Sequence, residues 1–157
     1  MTTWMLKAFA LLGVAAAVAL PATAFAQRGD PNHRTVDGME MYLGVVRAED
    51  VRSIPARGHP ELTMHRGIPA GKGYYHINVS LIDPSTGAAV GDARVEARVE
   101  EVGVTGESKA LEPMAINNTV SYGNYFRMPG IDPYWITVTV TRDDAPPQRA
   151  TFQYKMY

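Results

Sequence analysis

Tyr74-Tyr75-His76-Ile77-Asn78-Val79-Ser80-Leu81-Ile82 decides the fold. Tyr75, Ile77, Val79 and Leu81 alternate with Tyr74, His76, Asn78 and Ser80, a period of two that marks a half-buried β-strand. One face supplies a core. The other carries His76 outward. The approach to the strand, Arg66-Gly67-Ile68-Pro69-Ala70-Gly71-Lys72-Gly73, is rich in glycine and follows Met64-His65.

Other segments share this period. In Gly38–Arg47, Met39, Met41, Leu43 and Val45 fall on one face. Ala93–Val102 sets Ala93, Val95, Ala97 and Val99 against Arg94, Glu96, Arg98 and Glu100. Its residue types also suit a helix, but the apolar set recurs at every second position, which favours a strand. Ala110–Ile116 is a short segment whose Pro113 suits a sheet edge. Val120–Met128 is aromatic, with Gly123 marking a bulge or close approach. Tyr134–Arg142 turns Ile136, Val138 and Val140 inward, and Ala150–Tyr157 closes the set. Turns with Gly and Pro separate the strands, as in Asp83-Pro84-Ser85-Thr86-Gly87. About seven short strands predict an all-β fold, an antiparallel immunoglobulin-like β-sandwich.

Residues 48–73 hold Pro55, Pro60 and Pro69 and keep no period beyond a helical turn near Ala48–Ser53. A loop this long in a small domain is often functional. It carries His59 and His65.

The N-terminus reads as an export signal over residues 1–26. Lys7 precedes an apolar run from Ala8 to Leu20, too short for the ~20 residues of a membrane span. Pro21 follows, and Ala24-Phe25-Ala26 is a small-residue cleavage site. Residues 27–37 read as a flexible polar leader in which His33 is solvated, and residues 38–157 as the sandwich domain. Such a signal predicts a periplasmic or secreted protein.

The 157 residues carry a formal net charge of −1, without the clustered basic face that nucleic acid demands. The absence of cysteine removes disulfides, thiolate zinc sites, iron–sulfur clusters and blue-copper centres. No hydrolase signature, phosphate loop or dinucleotide fingerprint is present, and the expected class is not an enzyme.

One constellation could carry chemistry: His76, the pair Met64-His65, and Met114 in Leu111-Glu112-Pro113-Met114. Imidazole and thioether together suit copper better than magnesium or calcium. Methionines also fill cores, and a strand histidine can simply hydrogen-bond, so the residues alone leave both readings open. A different class is a metal-free interaction or assembly module presenting Tyr74, Tyr122, Tyr125 and Trp135 at an interface, with a homodimer as one form.

Short motifs in order add a resemblance. Gly38-Met39-Glu40, His76-Ile77-Asn78, Pro113-Met114, Ser121-Tyr122-Gly123-Asn124, and Pro129-Gly130 followed by Tyr134-Trp135-Ile136-Thr137 span residues 38–142. Together they resemble the periplasmic iron-transport-associated family, immunoglobulin-like proteins that bind copper and accompany bacterial iron permeases. The resemblance implies an exported copper-binding accessory of metal uptake, with a membrane metal transporter or a cuproprotein as partner. His76 and Met114 carry over as metal ligands. Ser121 stands where the family has a histidine, and Asn78 where it has a carboxylate. Met64, His65 and His59 are the candidates to replace them.

Overall fold

The computed structural model describes residues 29–53, 64–116, 119–131 and 133–156. The expected export signal and His59 lie outside the described residues.

The described chain is almost entirely antiparallel β-structure. Its strands are β1 (His33–Val36), β2 (Met39–Arg47), β3 (Tyr74–Asp83), β4 (Ala88–Ala89), β5 (Arg94–Glu101), β6 (Glu107–Ile116), β7 (Thr119–Arg127), β8 (Tyr134–Arg142) and β9 (Ala145–Tyr154). One helix, α1 (Ala48–Ser53), follows β2 where the sequence predicts a helical turn. Among the described residues no helix is long and apolar enough to cross a membrane.

The strands pair in the order β1-β2-β3-β7-β6-β5-β8-β9, with β4 on β3. Two sheets share β6. Its first half pairs β5, from Val99↔Glu107 to Val95↔Leu111. Its second half pairs β7, from Glu112↔Gly123 to Ile116↔Thr119. The switch falls just before Pro113, which has no N–H to offer and pairs β7 alone. At the far side Gln148 Nε2 donates to the carbonyls of Val36 (3.1 Å) and Asp37 (3.3 Å), and the Arg34 guanidinium lies 5.1 Å from the centre of the Phe152 ring. The sheets therefore meet along both sides, as an immunoglobulin-like sandwich.

Between them lies the core that the alternation predicts. Met41, Leu43, Ile77, Val79, Leu81, Tyr122 and Phe126 face Val95, Ala97, Val99, Ile136, Val138, Val140 and Phe152. In β5 burial alternates residue by residue from Arg94 to Val99, which excludes the helical reading. Tyr122 places a hydroxyl at the core margin, where it donates to the Val90 carbonyl (3.0 Å) and accepts from the Ala93 N–H (3.2 Å).

Three boundaries differ from the sequence expectation. Residues 33–36 are no loose leader: they pair β2 through Asp37-Gly38, where positive φ at both residues (45° and 76°) makes the tight hairpin that an Asp-Gly pair favours. The ring of His33 stacks on Tyr42 at 4.5 Å instead of standing in solvent. β6 begins at Glu107, inside a stretch that lacks period-two alternation. β9 begins at Ala145, and its Pro146 and Pro147 are tolerated because β9 pairs β8 on one side only.

Candidate metal centre

The centre stands on the face of β3-β7-β6 that points away from the core. Strand order puts β7 in the middle, and register does the rest. His76 lies opposite Tyr125, and Asn78 opposite Gly123. On the other side of β7, Glu112 lies opposite Gly123 and Met114 opposite Ser121. Since side chains alternate between faces, His76, Gly123, Tyr125, Ser121, Glu112 and Met114 share this outer face, while Ile77, Val79 and Tyr122 take the inner one.

This outer face is covered. His76 is 4% exposed, Met114 0%, Tyr125 3% and Ser121 7%. The expectation of an outward, solvated His76 is corrected by the chain before β3, which folds back over the sheet. The turn Met64–Gly67, closed by the Gly67 N–H to the Met64 carbonyl (2.8 Å), presents His65 with a fully buried side chain. Arg52 on α1 donates to the carbonyl of Pro69, and the Met128 N–H donates to the carbonyl of Gly73 (2.7 Å). These bonds tie the returning segment down.

Three predicted ligand side chains converge. His65 Nε2 lies 3.3 Å from Met114 Sδ. The rings of His65 and His76 are 5.3 Å apart at their centres. A Cβ placed on Gly123 would fall 2.6 Å from His76 Nε2 and 2.8 Å from Met114 Cε. Gly123 is therefore the floor on which the His76 imidazole nitrogen and the methyl end of Met114 pack, the close approach expected of it in the sequence. Tyr125 walls the pocket, 4.8 Å from the His76 ring and 5.8 Å from that of His65.

Met64 takes part differently. Its carbonyl closes the turn, but among the described residues no hydrogen bond ties its thioether to the other three. Of the aromatics expected at an interface, Tyr122 (1% exposed) and Tyr125 are buried, Tyr74 is half-buried, and Trp135 is exposed. Tyr122 belongs to the core because it lies on the inner face of β7.

Burial sets the electrostatics. The His76 pKa is pushed down to about 4, first by loss of solvent and then by the neighbouring His65. His76 is thus neutral at physiological pH, the state in which imidazole binds metal. Glu112 stands at the rim. Its Oε2 accepts the backbone N–H of His65 (3.1 Å) and lies 3.2 Å from His65 Nδ1.

The donor set fits a soft or borderline ion. For bonds of ~2.0 Å to nitrogen and ~2.3 Å to sulfur, tetrahedral angles place the two donors ~3.5 Å apart. The observed 3.3 Å between His65 Nε2 and Met114 Sδ is close to that. Two imidazoles and a thioether match copper, above all Cu(I). Among the described residues no three His, Cys, Asp or Glu side chains form a metal-holding group.

No family model matches the chain, and no curated protein matches it in sequence. Solved structures do match. The copper-reconstituted P19 protein of Campylobacter jejuni superposes with a TM-score of 0.60 at 12% identity, covering 78% of this chain and 91% of that one. The fold is that of P19. A copper-bound variant of FetP from uropathogenic Escherichia coli gives 0.58 at 14% identity, covering 78% and 92%. A DUF4426 family protein from Pseudomonas aeruginosa gives 0.57 at 15% identity, covering 80% and 93%.

Three parts of the pocket escape the sequence reading: Glu112, the Tyr125 wall, and the pairing of Gly123 with both ligand strands. The period of two does place Glu112 on the face of Met114. What joins that face to His76 is the order β3-β7-β6, in which β3 and β7 are distant in sequence.

Proposed function

We propose that the protein is an exported, non-catalytic copper-handling protein of the periplasm or cell exterior. It binds one copper ion through His76, His65 and Met114. The observation that carries this reading is the packing of His76 Nε2 and the Met114 methyl group together over Gly123, with His65 Nε2 beside the Met114 sulfur. The P19 and FetP neighbours support it, since both were crystallised with copper on this fold. His65, delivered by the returning turn, stands in for ligands that Asn78 and Ser121 do not supply. The metal would pass to or from a membrane metal transporter or a cuproprotein, in a role accessory to metal uptake.

Burial of all three donors suits retention of a single ion rather than turnover of a substrate. Anaerobic titration of the purified protein with Cu(I), against a chromophoric chelator, tests the reading. One equivalent should bind to the wild type and be lost in His76→Ala. Equal binding by the two proteins removes His76 from the site, and no binding by either overturns the proposal.

A further inference from the structure

We infer that Glu112 is the positioning residue that makes His65 a metal ligand, by holding the turn in place and keeping the Nε2 lone pair turned into the pocket. The inference rests on the copper reading of the same site and extends it to a residue outside the donor set.

His65 reaches the pocket from an unfavourable backbone. His65 and Arg66 both have positive φ, 57° and 62°, in the left-handed region that non-glycine residues rarely adopt. Such a turn persists only where its surroundings hold it. Glu112 supplies a tether from across the sheet, its Oε2 accepting the His65 N–H. It can do so because it lies opposite Gly123 and two residues before Met114, on the face the turn covers.

The same oxygen also stands beside the ring. At 3.2 Å from Nδ1 it places negative charge against that nitrogen, although off the line of a straight hydrogen bond. A proton on Nδ1 then faces a carboxylate. A proton on Nε2 would face only the Met114 sulfur, a weak acceptor. The first tautomer is favoured, and it leaves the Nε2 lone pair directed at the thioether and the second imidazole. Carboxylates hydrogen-bonded to ligating histidines typically govern metal affinity by about 10–100-fold.

Nitrogen-15 NMR of the copper-free protein reads the tautomer directly, and chelator competition with Cu(I) reads the affinity. The wild type should show His65 protonated at Nδ1. Glu112→Ala should shift the proton toward Nε2 and weaken Cu(I) binding by roughly 10–100-fold. Glu112→Gln, whose amide oxygen can accept both N–H groups, should restore the tautomer and most of the affinity. A wild-type His65 protonated at Nε2, or unchanged affinity in Glu112→Ala, overturns the inference. Should the wild type bind no copper, the copper reading fails by itself, and the tautomers of the wild type and Glu112→Ala still decide what Glu112 does.

Discussion

Gly123 and His76 are in contact as closely as glycine allows: a single added methyl group on Gly123 would sit 2.6 Å from His76 Nε2. Gly123→Ala is therefore predicted to displace the imidazole and the Met114 methyl group. The backbone there is not left-handed, so the strand itself accepts alanine. The crowding should cost about 1–3 kcal/mol of stability and weaken Cu(I) binding at least tenfold, read by thermal unfolding and chelator competition. Unchanged affinity would show that the pocket floor is not at Gly123.

The lowered His76 pKa makes stability depend on pH. The unfolded histidine titrates near 6.5 and the folded one near 4, so the unfolded chain binds more protons in between. The stabilising contribution is complete above pH 6.5 and is lost as pH falls toward 4. The shift corresponds to about 3 kcal/mol. Urea unfolding of the copper-free protein between pH 4 and 7.5 should show this loss, and His76→Phe should flatten it. A curve unchanged by that substitution would place the sensitivity elsewhere.

Met114→Leu separates the thioether from its packing. Leucine nearly conserves volume, so the change should cost less than about 1.5 kcal/mol in the copper-free protein. Cu(I) affinity should fall far more than Cu(II) affinity, because the soft ligand is removed and the imidazoles remain. Parallel titrations with the two ions check this, and equal losses would argue against a sulfur ligand.

Gly38→Ala tests the hairpin at the start of the sheet. No atom lies within 4 Å of an added Cβ, and φ is +76°. Only backbone strain is introduced, and the expected loss is about 1–2 kcal/mol. Chemical denaturation measures it, and a neutral result would mean that β1 adds nothing to the fold.

Much of the sandwich is legible in the sequence, because a residue's face depends only on its neighbours. Val95, Ala97 and Val99 announce their burial by alternation, as do Ile136, Val138 and Val140. Asp37-Gly38 carries a hairpin signal too, masked by the polar character of residues 27–37. The candidate ligands His76, Met114 and His65 can be named from their chemistry. Their convergence cannot, since it requires β7 to enter between β3 and β6 and the glycine-rich approach to fold back over them. The same return explains why His76, placed outward by its period, is 4% exposed.

X-ray absorption at the copper edge on the Cu(I)-loaded protein tests the central claim most directly. The account predicts one copper per chain, with two nitrogen donors at ~2.0 Å and one sulfur donor at ~2.3 Å, and loss of the sulfur shell in Met114→Leu. A nitrogen-and-oxygen environment without sulfur, or a sulfur shell that survives that substitution, would contradict it.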